Sequence, residues 1–251
     1  VGANTEFPAQ RINILKIPVD NITEDHLEEA LKILLSDGKN HQIVLLSVWD
    51  LMRARRNVEL RTMLNNADLI VPISQSLVKG AKFLKRPVPR RYMPFDFIIK
   101  VLGALERTGK TIYILGSNKK NLQTAERNIR STFPGLRVVG RFAGYYHKQI
   151  EPNIIQAVQK STPSLLMVGR GVPGKERWIP RNLKSFQSGL YLWCDDVFDV
   201  FAEKRYRVSK KTFDRGLDWV PYNLGKIWRW PRAFTYLRYK VLLLVYRLKH
   251  W

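Results

Sequence analysis

The sequence predicts an α/β fold, a mostly parallel sheet flanked by helices in the Rossmann-like manner, with a basic helical appendage at its C-terminal end. Three observations carry this. Short apolar runs without polar alternation recur along the chain, as in strands buried on both faces. Each run is separated from the next by a stretch of helical periodicity, the rhythm of parallel strands joined by crossover helices. Beyond about Glu203 the composition changes, and basic residues crowd together with aromatic ones. The chain thus divides into an α/β body, residues 1–203, and an appendage, residues 204–251.

The first helix is announced by Thr23 as N-cap, with Glu24 and Asp25 in an acidic first turn. Leu27, Leu31 and Leu34 form its apolar face, and Gly38 stops it. Ile43–Val48 reads as a buried strand, followed by one helix from Leu51 to Leu64 and a strand at Asp68–Val71. That strand ends at Pro72 and delivers Ile73, Ser74, Gln75 and Ser76, a strand end with no acid, base or glycine. A helix over Phe97–Leu105 follows, then strands at Thr111–Leu115, Leu136–Val139, Leu165–Val168 and Leu190–Cys194.

Length and composition narrow the functional classes. At 251 residues the chain can bury a sizeable core. Lys and Arg number 43 against 21 Asp and Glu, a net charge of +22 that draws the protein to polyanions. One cysteine, Cys194, excludes an internal disulfide, and four scattered histidines suggest no metal constellation. Composition favours the cytoplasm. Val241–Tyr246 is the longest apolar run near the end, far short of a membrane span. The chain begins at Val1, which leaves open a segment upstream.

The appendage carries thirteen Lys or Arg against three Asp or Glu from Glu203 onward, and four of the seven tryptophans: Trp219, Trp228, Trp230 and Trp251. Cations interleaved with indole rings suit an anionic membrane surface. A solvated basic tail with a few core aromatics is the plainer alternative. Nucleic acid could use the same ingredients, but only net charge speaks for it, and it is not expected as a partner.

Two strands end in glycine. After Gly116 come Ser117, Asn118, Lys119 and Lys120 at a helix start, where free N–H groups could hold a phosphate. Gly169 and Gly171 precede Pro173, Gly174, Lys175 and Glu176, with Arg170, Lys175 and Arg177 offering charge to a diphosphate. Neither matches a phosphate-loop or dinucleotide fingerprint, and each glycine alone is commonly a turn residue. Asp195, Asp196 and Asp199 gather at the end of the last strand, as acid–base groups or as helix caps. Asp96 is likewise an N-cap or a ligand group.

The order of these segments resembles the WecG/TagA/CpsF glycosyltransferase family. "NADLIVP", "ILGS", "FPGLRVVGRFAGYY", "MVGRGVPGKERWI", "FDVFAEKRYR", "RGLDWV" and "WPRAFTYLRY" are similar to its blocks, in order, over most of the chain. The resemblance implies inverting transfer of an N-acetylmannosamine-type sugar from a UDP donor. The acceptor would be N-acetylglucosamine on a polyprenyl diphosphate at the cytoplasmic membrane face, in making surface polysaccharide. It also implies no cofactor and no metal, and a basic appendage that engages the lipid-linked acceptor, here through Arg207, Arg232 and Arg238. Gly116, Gly169, Gly171, Lys175 and Glu176 fall to the nucleotide-sugar side.

The chain departs from that pattern at the chemistry. Where the family has an Asp-Gly pair after the strand-end proline, with the Asp proposed as general base, this chain has Ile73 and Ser74. The usual Thr and Asn of the preceding strand become Leu45 and Ser47, and a Gln becomes Lys175. A family Thr-Gly-x-Asp becomes Met93, Pro94, Phe95 and Asp96. Isoleucine accepts no proton. Two readings follow: a divergent transferase using Asp96, Asp195 or Asp196 as base, or an inactive relative acting as a membrane-surface adaptor or regulatory subunit.

Overall fold

A computed structural model describes residues 7–216 and 231–249, without the side chains of residues 231–233. Its centre is a six-stranded sheet in the order β4-β3-β8-β7-β5-β6, every neighbouring pair parallel. The strands are β3 (Asn40–Leu46), β4 (Leu69–Pro72), β5 (Thr111–Leu115), β6 (Arg137–Phe142), β7 (Leu165–Gly169) and β8 (Gly189–Asp195). The α/β expectation is met, with strand cores where the apolar runs placed them.

Alternation within those runs divides the core in two. Ile43, Leu69, Ile112, Met167 and Leu192 point to one face, packing on helices α1 (Glu24–Ser36), α5 (Pro94–Arg107), α6 (Lys119–Thr132) and α9 (Val197–Phe201). Leu46 and Ile70 point to the other, under α2 (Val48–Ala54), α3 (Val58–Asn66) and α4 (Gln75–Phe83). Leu115, Leu166 and Val168 continue that second face, under α7 (Glu151–Ser161) and α8 (Trp178–Asn182). Where both faces are covered the strand cores are apolar, which is why those runs read without polar alternation, while the edge strand β6 is largely exposed and carries Arg137 and Arg141.

Three details differ from expectation. The helix expected over Leu51–Leu64 is two, because Asn57 turns the chain and its side chain accepts the Leu60 N–H at 2.9 Å, starting α3. The helix around Asp96 begins at Pro94, with Met93 as N-cap, so Asp96 lies in the first turn and is not the cap. Ahead of the sheet, β1 (Gln10–Ile14) and β2 (Ile17–Asn21) form an antiparallel hairpin. Its two-residue turn, Leu15 and Lys16, takes φ of 52° and 68°, as a tight hairpin turn requires. No glycine or asparagine advertises it. Asp20 from this hairpin, 1% exposed, receives Arg11 through both oxygens and the Ile70 N–H at 2.7 Å, tying hairpin to sheet.

The appendage returns to the body. After α10 (Lys210–Asp214), helix α11 (Pro231–Lys249) packs Tyr239 and Leu243 against the α2–α4 face. The Tyr239 hydroxyl donates to the Ser76 carbonyl at 3.0 Å, and it fits only because residue 80 is glycine: a Cβ there would sit 2.1 Å from the hydroxyl oxygen. Trp219, Trp228, Trp230 and Trp251 lie outside the described residues, as does the side chain of Arg232.

Candidate active site

The connection leaving β3 crosses to one face of the sheet through α2, and the one leaving β8 crosses to the other through α9. Adjacent parallel strands whose connections part in this way open a crevice at their C-terminal ends, where α/β proteins bind ligands. A cavity of about 1370 Å³ occupies that crevice. Its floor is Ser47 and Asp50 after β3, Ile73 after β4, Arg170–Pro173 after β7, and Trp193–Val197 at β8. Phe234, Thr235 and Arg238 of α11 complete the lining.

The strand end that carries no acid, base or glycine, Ile73 to Ser76, is firmly held. The Ile73 N–H donates to the Leu46 carbonyl at 2.9 Å, and the Arg91 guanidinium donates to the Ile73 carbonyl at 2.9 Å. The Ser74 hydroxyl does not cap α4; it accepts the Val48 N–H at 3.1 Å and fastens the start of α2 to the loop. Ile73 itself lines the cavity.

The cavity mixes charge unevenly, with six Lys or Arg against four carboxylates. Glu176 binds Arg53 at 2.7 Å, and Asp196 pairs with Arg205. Arg56, Arg170, Lys175 and Arg238 form no ion pair among the described residues, so their charge faces the cavity. Such cations supply what a diphosphate needs. Backbone strain gathers at the same place: Tyr145, Lys175 and Asp195 have φ of 57°, 53° and 43°.

The carboxylates are tuned in different ways. Asp50 closes a capping box: its Oδ2 accepts the Ser47 N–H at 3.2 Å and the Ser47 hydroxyl at 2.5 Å, while Arg53 stands 3.5 Å from Oδ1. The side chain is 38% exposed and lines the cavity, and desolvation there pushes its carboxyl above the ordinary range. Asp195 is raised too, by desolvation first and then by Asp196. Burial pushes the Cys194 thiol well up, which suits a strand residue whose Sγ donates to the Val168 carbonyl at 3.4 Å.

The expected site residues divide accordingly. Gly171, Lys175, Glu176, Asp195, Asp196 and Arg238 meet in the cavity. Gly116 and Gly169 do not line it; they let strand ends touch. A Cβ on Gly116 would lie 2.8 Å from the Gly169 backbone, and one on Gly169 would lie 2.7 Å from the Phe198 ring. Asp196 sits at the N-cap of α9 without a side-chain cap bond. Asp96 is held at 2.6 Å by Arg207, which also stacks over Phe95, so neither opens to the cavity. Asp199 receives the Ser117 hydroxyl at 2.6 Å and the Asn121 amide at 2.9 Å, a structural tie. Asp50 is what sequence reasoning passed over: Ser-x-x-Asp reads as a helix start, and nothing in that spacing says it also faces a cavity. Among the described residues, no group of three or more His, Cys, Asp or Glu side chains could hold a metal ion.

Comparison with known proteins places the chain among glycosyltransferases. Residues 12–251 match the model of the Glycosyl transferase WecG/TagA/CpsF family. A protein of Bacillus spizizenii named N-acetylglucosaminyldiphosphoundecaprenol N-acetyl-beta-D-mannosaminyltransferase is 24% identical over 219 residues, 87% of this chain and 83% of that protein. A protein of the same name from Bacillus subtilis strain 168 is 21% identical over 182 residues, 72% of this chain and 70% of its own length. With a family match across nearly its whole length, the chain belongs to the Glycosyl transferase WecG/TagA/CpsF family.

Proposed function

We propose that the protein transfers an N-acetylhexosamine of the N-acetylmannosamine type from a UDP donor to N-acetylglucosamine on a polyprenyl diphosphate, in building surface polysaccharide. The relatives carry the name of that reaction. The observation that carries the proposal is the cavity at the strand crevice, roomy enough for two substrates and lined by cations free to meet two diphosphates. In the transfer, an acceptor hydroxyl attacks the anomeric carbon and the bond to the β-phosphate oxygen breaks. UDP departs with the electron pair, and Arg170 and Lys175 stabilise its growing charge. Arg238 and Arg56, toward α11, serve the acceptor diphosphate. Tyr145, 66% exposed beside Gly171, offers its ring to the uracil.

Ile73 alone does not argue for an inactive adaptor, because the cavity keeps Asp50, Asp195, Asp196 and Glu176 beside it. The protein works at the cytoplasmic face of the membrane as a peripheral enzyme. No helix among the described residues is long and apolar enough to cross a membrane. Leu237, Val241, Leu244, Val245 and Leu248 instead form an exposed apolar stripe along α11, opposite Tyr239 and Leu243. Arg238 and Lys249 flank it on one side, Lys240 and Arg247 on the other, as in a helix lying in the headgroup plane.

The test is to incubate the protein with a panel of UDP-sugars and an N-acetylglucosaminyl-diphospholipid, and to follow the lipid by mass spectrometry. The lipid gains one N-acetylhexosamine from at least one donor. Folded protein that yields no product with any donor sinks the reading and leaves the adaptor.

A further inference from the structure

Resting on that reading, we propose that the Asp50 carboxylate is the general base of the transfer, in place of an acid at Ile73. The two residues grip opposite edges of one peptide unit. The Ile73 N–H donates to the Leu46 carbonyl, and Asp50 accepts the N–H of Ser47 from the same peptide at 3.2 Å. The carboxylate therefore stands at the tip of β3, across the Leu46–Ser47 peptide from the Ile73 backbone, and lines the same cavity as Ile73.

The other carboxylates are less suited. Asp96 is bound by Arg207 away from the cavity, Asp196 is paired with Arg205, and Glu176 holds Arg53 at 2.7 Å, closer than the 3.5 Å at which the same guanidinium stands from Asp50. Asp195 is open, but it ends β8, one strand further from β4 and its Ile73 loop than the β3 end that carries Asp50. Asp50 keeps one oxygen available: both Ser47 bonds fall on Oδ2, and Oδ1 meets only the Arg53 guanidinium at 3.5 Å.

The step balances without another reactant. The acceptor hydroxyl gives its proton to Oδ1 as its oxygen bonds to the anomeric carbon. The bond to the β-phosphate breaks, UDP takes that electron pair, and Asp50 later returns the proton to water. The enclosure that raises the Asp50 carboxyl strengthens it as a base. Burial first, then Ser47 and Arg53 on its own segment, Glu176 after β7 and Asp195 at the end of β8 set its titration.

The experiment compares wild type with Asp50→Asn, which retains an oxygen for the Ser47 N–H but takes no proton. UDP release is followed with the donor and lipid acceptor, UDP affinity by titration, and folding by thermal melting. Turnover falls by about 10²–10⁴-fold, with UDP affinity and folding kept, and the acidic limb of the rate profile disappears. Formate partly restores Asp50→Ala, and adding Ile73→Asp to Asp50→Asn recovers turnover. Wild-type turnover in Asp50→Asn overturns the assignment alone, as does loss in Asp195→Asn with Asp50→Asn spared. If neither formate nor Ile73→Asp recovers turnover, Asp50 is a cap and not a base. A wild type inert with every donor removes the transfer reading and this base with it.

Discussion

At the scale of single residues, the site holds charges in places that oppose folding. Asp50 and Asp195 both have carboxyls raised by enclosure, so ionising them is harder in the folded chain than in the unfolded one. Their contribution to stability is full below the ordinary carboxylate range and is lost as pH rises through the raised folded value. Asp50→Asn escapes that loss. Its melting temperature therefore exceeds that of wild type at neutral pH, and the gap closes as the pH falls through that range. A melt series across pH checks this, and a variant less stable at every pH contradicts it. Asp20 is a structural carboxylate. Asp20→Ala leaves the buried Ile70 N–H without its acceptor, while Arg11, 40% exposed, keeps the Ala67 and Asp68 carbonyls, and the change costs about 1–3 kcal/mol by denaturant unfolding.

At the scale of elements, α11 does two jobs on two faces. Tyr239 and Leu243 seat it on the body, while the stripe from Leu237 to Leu248 faces outward. Leu237→Glu with Leu248→Glu alters only the outward face. This pair abolishes sedimentation with anionic vesicles and leaves the melting temperature within a degree or two, since exposed positions contribute little to folding. Wild-type binding weakens with added salt as surface charge is screened. Unchanged vesicle binding in the pair would remove the stripe from the account. Elements also show where sequence reasoning reaches its limit. Leu51 of α2 and Leu60 and Leu64 of α3 pack in the same core, so the two segments read together as one apolar helix. Leu60 stands half a turn out of phase with Leu51, and that offset, with Asn57, marks the break. The β1–β2 hairpin was hidden for a related reason: its turn takes left-handed backbone at Leu15 and Lys16, residues that announce no turn.

At the scale of the whole molecule, the sheet was legible because strands covered on both faces must be apolar throughout. The crevice was partly legible, since strand ends are where ligands sit, and Gly171, Lys175, Glu176, Asp195 and Asp196 do converge there. What the sequence could not convey was which strand ends meet. Strand order puts β3 between β4 and β8, and thereby sets Asp50 between Ile73 and Asp195, residues far apart in the chain. The same order separates Gly116 from the cavity, although its local sequence looks equally suited to phosphate. The roof, Arg238 and Phe234, arrives from the far end of the chain.

The central claim is that this crevice is a nucleotide-sugar site. Calorimetric titration of the wild type with UDP, alongside Lys175→Ala and Gly171→Ala, tests it most directly. Gly171→Ala is included because its φ of 90° and the Tyr145 ring, 2.7 Å from an added Cβ, leave no room for a side chain. Saturable binding at one site per chain, weakened at least tenfold in both variants, is the predicted result. No binding of UDP by the wild type, or equal binding by all three proteins, would contradict it.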